Sequence, residues 1–178
     1  MSRNNLKWAV IEASESDVWE DAVEEWDIID CEEDFQQKST CICGQDKLIY
    51  LYTIRNRCNG NVLFPIGSTC IQKFGRTDLD EIISVKEQMF HLVHAMEQGR
   101  YIELNSELFS RKLLRFMYED GAFQATKYNG FDGFHDYEFM LNMFNKSGRG
   151  GISQKQERKV KAIIMNSIKP YLQKQLHR

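Results

Sequence analysis

Residues 41–74, CICGQDKLIYLYTIRNRCNGNVLFPIGSTCIQKF, decide the fold of the first part of this chain. The segment 48–54 is rich in β-branched and aromatic residues, the Asn-Gly pair at 59–60 is typical of a hairpin turn, and 61–66 can return as a second strand. Three cysteines lie at the open ends of this hairpin: Cys41, Cys43 and Cys70. The pattern therefore predicts a β-hairpin whose base gathers three thiols.

The spacing of these cysteines predicts a metal site. Cys41 and Cys43 flank one residue and precede Gly44, which lets the backbone curl so that both sulfurs point at one ion. Thiolates are preferred ligands of Zn²⁺, and structural zinc sites use four protein ligands. Cys31 is the expected fourth ligand, because the polar segment 32–40 is long enough to loop back to the base of the hairpin.

Other ligand sets remain open. His91 and His94 are possible substitutes for Cys31, although no metalloprotease-type motif accompanies them. Cys58 lies beside the turn, and a strand advances about 3.3 Å per residue, so Cys58 is expected ~20 Å from the other thiols and is excluded. The alternative to a metal site is that the thiols fill core space, since free cysteine is often buried. With four protein ligands the zinc would be structural rather than catalytic.

Composition predicts a folded protein with one good core and a small metal-stabilised subdomain. Of the 178 residues, 42% are hydrophobic and 12% aromatic, which is typical of globular proteins. No apolar run approaches the ~18 residues of a membrane span, and the N-terminal sequence lacks the apolar region of a signal peptide. We therefore expect a cytoplasmic protein whose five cysteines are reduced or metal-bound.

Charge is distributed unevenly along the chain. Residues 1–36 contain twelve acidic side chains and two basic ones, a net charge of −10, whereas residues 146–178 contain nine basic side chains and one acidic one, a net charge of +8. An acidic surface can attract a basic partner, although a solvated helix face is the alternative. The predicted partner-binding residues are Glu20, Asp21, Glu24, Glu25, Glu32, Glu33 and Asp34.

The expected fold class is α+β, with a mostly helical body and a zinc-ribbon-like hairpin. We expect three regions: an acidic helical region over 1–36, the hairpin over 37–76, and a helical domain with a basic C-terminal helix over 77–178. Ser14 or Ser16 would cap the first helix, whose apolar positions run from 18 to 26 at helical spacing. Later helices are predicted from Thr77 to Gly99, from Asn105 or Ser106 to Gly121, from Asp136, and from Ser153.

The segment 122–135 is rich in glycine and aromatic residues and is predicted to be a loop held by its rings. Stacking of those rings on nucleic-acid bases is the alternative. No nucleophile-histidine-acid motif or nucleotide-binding fingerprint is present, so we expect no enzymatic activity.

Three motifs carry a resemblance to a known group of proteins: C-x-C-G at Cys41, I-R-N at Ile54, and P-I-G-S-x-C-I-x-K-F over 65–74. Over 41–76 the chain resembles small zinc-binding proteins of phages and mobile elements of Gram-positive bacteria. This resemblance implies a metal hairpin joined to a mostly helical body, with Cys41, Cys43 and Cys70 as ligands. Some small phage proteins are anti-CRISPR proteins, which block the RNA-guided nuclease of type II systems.

Two functional hypotheses follow. In the first, the protein is an inhibitor that binds the host's type II CRISPR nuclease through its acidic N-terminal region and blocks nucleic-acid loading, because such a nuclease holds nucleic acid in basic channels. In the second, the protein is a nucleic-acid-binding regulator that contacts phosphates through Arg55, Arg57 and the basic C-terminal helix.

Overall fold

The computed structural model describes residues 3–147 and 150–176. Its elements follow one another along the chain as α1 (Arg3–Glu12), α2 (Trp19–Ala22), a 3-10 turn (Val23–Glu25), β1 (Trp26–Glu33), β2 (Tyr50–Asn56), β3 (Val62–Ile66), α3 (Ser68–Gln72), α4 (Thr77–Glu97), α5 (Arg111–Glu119), α6 (Gly133–Ser147), α7 (Gln154–Ile163), a π-helical segment (Ile164–Ile168) and α8 (Lys169–Leu176). The fold is therefore mixed helix and sheet, as the expected α+β class requires.

The sheet has three antiparallel strands in the order β1-β2-β3. The predicted hairpin forms its β2 and β3 strands, in which Tyr52 pairs with Ile66 and Arg55 with Val62. Strand β1 adds to the free edge of β2, from the pair of Trp26 and Asn56 at one end to Glu33 and Tyr50 at the other, with an irregularity at Ile29.

The predicted N-terminal helix is wrong in extent. Residues 18–26 form only the short α2 and a 3-10 turn before the chain enters β1 at Trp26. Trp26 is fully buried, and its indole Nε1 donates a 2.9 Å hydrogen bond to Ser14 Oγ. The helical spacing of the apolar residues was outweighed by strand pairing, because β1 covers an edge of β2 that would otherwise leave backbone groups unpaired.

The chain divides into two units, Met1–Glu87 and Gln88–Arg178, with the division inside α4. The core of the first unit contains residues from α1, the three strands, α3 and the start of α4, including Val10, Tyr52, Ile54 and Ile71. Two of the cluster cysteines, Cys41 and Cys70, belong to the same core. Burial of this apolar surface supplies the main favourable contribution to the folding of the unit.

Helices dominate the second unit. Ser153 begins α7 with a capping box in which its hydroxyl accepts from the Gln156 N–H and the Gln156 side chain accepts from the Ser153 N–H, as predicted. Helix α5 begins later than predicted, because Ser110 caps it by accepting from the Leu113 N–H at 3.1 Å. Asn105 instead caps a local turn, accepting from the N–H groups of Glu107 and Leu108.

The last helix is interrupted by the π-helical segment Ile164–Ile168, just before Pro170. Proline has no N–H to donate to the carbonyl four residues earlier, at Asn166, so the regular α-helical hydrogen bonding is broken there. The helical pattern of the sequence does not indicate this π segment. Among the described helices, none combines the length and the apolar character that a membrane crossing requires.

Candidate metal centre

A tight turn at residues 41–44 brings the first two thiols together. Gly44 N donates to Cys41 O at 2.7 Å, and Cys41 N donates to Gln45 O at 2.8 Å. Gly44 has φ of +89°, in the region where residues with a Cβ are strained. Ile42 N donates to Pro65 O at 3.1 Å, which ties this turn to the end of β3. The local sequence thus positions both sulfurs beside the hairpin base.

The third thiol comes from α3, the short helix that follows β3. Cys70 is fully buried, and its N–H donates to Gly67 O at 2.9 Å. Gly67 N donates to Cys41 Sγ at 3.4 Å, so the turn and the helix are joined through a sulfur. A Cβ on residue 67 would lie 2.9 Å from Leu48 Cδ2, and glycine therefore permits this close approach.

The three sulfur atoms are close enough to hold one metal ion. The Sγ atoms of Cys41 and Cys70 are 3.7 Å apart, those of Cys70 and Cys43 are 3.2 Å apart, and all three lie within 4.8 Å of one another. A tetrahedral ion with metal–sulfur bonds of about 2.3 Å separates its sulfurs by about 3.8 Å. The Cys41–Cys70 pair has this spacing, and the Cys43–Cys70 pair must open by about half an ångström to accept such an ion.

The electrostatics of the cluster also fit a cation. The hydrogen bond from the Cys70 thiol outweighs burial and lowers the pKa of Cys41 to about 5. That interaction with Cys41, together with burial and the Cys43 thiol, raises the pKa of Cys70. Neighbouring thiolates repel one another, so a positive ion between the three sulfurs would favour the deprotonation of all of them. The Lys73 ammonium, with Nζ 3.9 Å from Cys70 Sγ, adds a positive charge at one side.

The structure does not bring Cys31 to this cluster. Cys31 lies on β1, paired with Tyr52 on β2, beside the charged side chains Lys86 and Glu87 of α4. Burial raises the pKa of the Cys31 thiol to about 12, and the group of thiols close enough to share an ion contains Cys41, Cys43 and Cys70 without Cys31. The segment 32–40 was expected to bring Cys31 to the base of the hairpin, but Cys31 is held within β1, which spans Trp26–Glu33.

The other predicted substitutes also lie outside the cluster. His91 and His94 are on α4, where His94 Nδ1 lies 3.3 Å from Glu97 Oε2. Cys58 is exposed in the turn after β2, in agreement with its exclusion. Within residues 3–147 and 150–176, the three-thiol group contains no histidine or carboxylate. The described chain therefore supplies three ligands and leaves the fourth position of a tetrahedral ion to another donor.

Two of the predicted partner-binding carboxylates, Glu25 and Asp34, form hydrogen bonds within the first unit. Glu25 accepts hydrogen bonds from the N–H groups of Glu15 (2.8 Å) and Ser16 (2.9 Å) and from Asn56 Nδ2 (2.5 Å). Burial opposes its ionisation, but these hydrogen bonds outweigh burial and lower its pKa. Asn56 itself is buried and accepts from the N–H of Cys58, which shapes the hairpin turn.

Asp34 has a similar internal role. Its carboxylate accepts from the Ser39 hydroxyl at 2.7 Å and from the N–H groups of Gln36, Lys38 and Ser39, and these bonds lower its pKa. The loop between β1 and the cysteine turn is therefore organised around Asp34.

The other predicted partner-binding residues are mostly exposed to solvent. Glu20, Asp21, Glu24 and Glu32 are exposed, and Glu33 is half-buried on β1. Glu24 lies 3.7 Å from the guanidinium of Arg76, so its charge is partly matched within the unit. Glu20, Asp21, Glu24 and Glu32 are thus the predicted partner-binding residues that are exposed to solvent.

Two arginines of the first unit, Arg57 and Arg76, form ion pairs with acidic side chains. Arg57 forms an ion pair with Asp27 at 3.4 Å and donates to the Glu24 carbonyl. Arg76, whose side chain is only 10% exposed, donates to the carbonyls of Val23, Glu24 and Trp26 and to the Asp78 carboxylate. Sequence reasoning missed Arg76, because a single arginine after Gly75 has no distinguishing pattern.

In the second unit the basic residues are more exposed. Exposed side chains on α7 and α8 include Lys155, Arg158, Lys159, Lys161 and Lys174, and Lys169 is half-buried. Arg149 and Arg178, which contribute to the predicted basic charge, lie outside the described residues.

Comparison of the chain with protein families, with curated proteins and with solved structures finds no match.

Proposed function

We propose that this protein is a zinc-stabilised binding module without enzymatic activity, which docks a basic protein through its acidic surface. The proposed partner is the RNA-guided nuclease of a type II CRISPR system in a bacterial host, whose nucleic-acid loading the protein would block. The observation that supports this proposal best is the presence of exposed carboxylates on α2 and β1 in the same unit as the buried three-thiol cluster.

The proposed zinc is structural. Two of its three thiolate ligands, Cys41 and Cys70, are buried, and the ion would add a link between the turn and the helix that carry them. Thiolate ligands without carboxylates favour Zn²⁺ over Mg²⁺ or Ca²⁺.

The metal assignment is tested by elemental analysis of the purified protein and of two serine variants. Cys70→Ser should lose the bound zinc and destabilise the protein by about 3 kcal/mol, roughly a quarter of the 10–16 kcal/mol that structural zinc supplies. Cys58→Ser is the matched control, because Cys58 is exposed and outside the cluster. Equal zinc content and equal melting temperatures in both variants would exclude the structural site.

The docking surface is tested by charge reversal. The double variant Glu20→Lys, Asp21→Lys should weaken binding to the nuclease by about tenfold or more at low salt, and the loss should shrink as salt is raised. The double variant Glu103→Lys, Glu138→Lys changes the net charge equally at exposed positions of the other unit and should bind like the wild type. If both double variants retain full binding, the acidic surface is not the docking site.

The nucleic-acid-binding alternative is favoured by one observation, the exposed lysines and arginine along α7. Phosphate binding by the hairpin through Arg57 is less favourable, because Arg57 forms an ion pair with Asp27 and would have to break that contact to bind a phosphate. A gel shift that weakens steeply with salt would support this alternative over protein docking.

A further inference from the structure

Two sulfurs of the cysteine cluster lie close enough to form a second kind of bond. The Sγ atoms of Cys43 and Cys70 are 3.2 Å apart, whereas those of Cys41 and Cys70 are 3.7 Å apart. A disulfide joins its sulfurs at about 2.0 Å, so the Cys43 and Cys70 sulfurs would have to approach by roughly 1.2 Å to form one. Their observed separation thus lies between that of a disulfide and the value of about 3.8 Å in a tetrahedral metal site.

The backbone around Cys43 leaves room for this movement. Cys43 lies in the turn 41–44, outside the helices and strands, and is followed by Gly44, which has open space on the side where a Cβ would stand. Cys70 lies within α3, where its N–H donates to Gly67 O at 2.9 Å. The turn can therefore adjust to disulfide geometry while α3 keeps its place.

Exposure to solvent distinguishes Cys43 from the other two thiols. Cys41 and Cys70 are only 2% and 0% exposed, whereas Cys43 is half-buried. A dissolved oxidant such as hydrogen peroxide reacts with a thiolate that it can reach, and the ligands of a bound metal are thiolates. Cys43 is therefore the cluster thiol that peroxide reaches first.

Cys70 is the cluster thiol best placed to complete the bond. Its sulfur is the one for which a distance of only 3.2 Å to Cys43 Sγ is found, and it lies 3.9 Å from the ammonium of Lys73. This positive charge stabilises the negative sulfur that attacks an oxidised Cys43. Cys41 shares the tight turn with Cys43, separated from it by one residue, and is less well placed for a bond with normal geometry.

We infer that Cys43 and Cys70 form a disulfide when the protein is oxidised, and that this bond replaces the metal as the link between the turn 41–44 and α3. In the first step, the Cys43 thiolate attacks hydrogen peroxide, the O–O bond breaks, hydroxide leaves, and the sulfur becomes a sulfenic acid. In the second step, the Cys70 thiolate attacks that sulfur, the S–S bond forms, and a second hydroxide leaves. The two sulfurs together lose two electrons, which reduce one peroxide.

Formation of this bond removes two of the three thiolates from the cluster, and the remaining thiolate of Cys41 does not suffice to hold the ion. The release of zinc rests on the proposed metal centre, whereas the disulfide rests on the positions of the sulfurs. Both links join the same turn to the same helix. The first unit should therefore stay folded in the oxidised form without metal.

The bond is tested by peptide mapping of the full-length Cys58→Ser protein, because exposed Cys58 would otherwise form links between molecules. The protein is treated with hydrogen peroxide, alkylated, digested without reductant and analysed by mass spectrometry. The expected product has one internal link, between Cys43 and Cys70, with Cys31 and Cys41 alkylated. A link that involves Cys41, or oxidation of Cys43 without any link, would overturn the inference.

Zinc release is measured in the same samples with a colorimetric indicator, and one ion should be released for each disulfide formed. Zinc retained by the linked protein would overturn the replacement of the metal by the disulfide. If the purified protein contains no zinc but forms the link, the metal centre is wrong and the disulfide stands. If zinc is bound and no link forms, the disulfide is wrong and the metal centre stands.

Stability tests whether the disulfide takes over the role of the ion. In the presence of a chelator, the oxidised protein should melt about 5 °C or more above the reduced protein, because the cross-link constrains the unfolded chain. Cys43→Ser should abolish this gain, and Cys31→Ser is the matched control, since Cys31 is also half-buried but lies outside the cluster. Equal melting of the oxidised and reduced proteins, or an undiminished gain in Cys43→Ser, would overturn the inference.

Discussion

At the scale of single residues, Arg76 joins three segments of the first unit. Its guanidinium contacts the carbonyls of Val23, Glu24 and Trp26 at the start of β1, and the Asp78 carboxylate in α4. Interactions with Asp78, Glu24 and Asp27 outweigh the burial of Arg76 and raise its pKa. Removing such a cation takes a hydrogen-bond donor from the carbonyls of the buried residues Val23 and Trp26, which is more costly than the loss of a surface ion pair.

We therefore expect Arg76→Ala to lower the free energy of unfolding by about 2–4 kcal/mol, as for the loss of several hydrogen bonds to a charged donor. Arg115→Ala should change it by less than about 0.5 kcal/mol, because the Arg115–Glu119 pair is surface-exposed. Urea denaturation of both variants measures the difference. Equal effects would show that Arg76 is not a structural link.

Glu25 predicts a pH dependence of stability. Its pKa is lowered in the folded protein, so the stability that it contributes is present above its unfolded pKa of about 4.3 and is lost as the pH falls through the lower folded value. Glu25→Gln should be less stable than the wild type at pH 7, and the difference should narrow as the pH falls below about 4. Melting curves from pH 7 to pH 3 measure this, and a pH-independent difference would contradict it.

At the scale of elements, the start of α5 differs between the sequence prediction and the structure. Asn105 or Ser106 was expected to cap this helix, but the structure begins it at Arg111 with Ser110 as the cap. The Ser110 hydroxyl also lies 2.5 Å from Gln88 Oε1 and donates to it, so a contact distant in sequence holds the cap. Sequence patterns recognise capping residues but cannot choose between two serines a few positions apart.

Ser110→Ala should therefore destabilise the protein by about 1 kcal/mol, the usual cost of losing a helix cap. Ser106→Ala should have an effect of less than about 0.5 kcal/mol, because Ser106 is exposed outside α5. Thermal melting distinguishes them. A larger effect of Ser106→Ala would indicate that the helix begins near Ser106, as the sequence predicted.

At the scale of the whole molecule, the two units should respond differently to loss of metal. The three-thiol cluster belongs entirely to the unit Met1–Glu87, whereas the helices α5 to α8 belong to the other. The proposed zinc would therefore stabilise one unit directly.

Addition of a strong chelator should increase amide hydrogen exchange by about tenfold or more in residues 41–44 and 66–74, because bound metal stabilises only states in which its ligands are assembled. Residues 111–119 and 154–163 should keep their protection. Hydrogen exchange read by mass spectrometry measures both regions. Uniform loss of protection, or no change at the cysteines, would contradict a metal centre confined to the first unit.

The sequence predicted this site well where its determinants are local. The turn at Cys41–Gly44, the hairpin of β2 and β3, the helical turn carrying Cys70 and the helix from Thr77 all depend on short-range patterns, and the structure contains each of them. Convergence of Cys41, Cys43 and Cys70 followed from hairpin geometry alone. The prediction of Cys31 as a ligand was wrong because the position of Cys31 depends on the pairing of β1 with β2. The apolar residues before it have helical spacing, so the sequence did not indicate this strand.

By itself, the sequence determined the mixed fold class, the hairpin with three thiols at its base, and the opposite charges of the two ends of the chain. Only the tertiary structure decided that β1 joins the sheet, that Glu25 and Asp34 bond internally, and that Arg76 links separate segments. The physical reason is the distance along the sequence over which each interaction acts. Turns, caps and cysteine spacing act within a few residues, whereas strand pairing and the partners of charged groups depend on residues that folding brings together from distant positions.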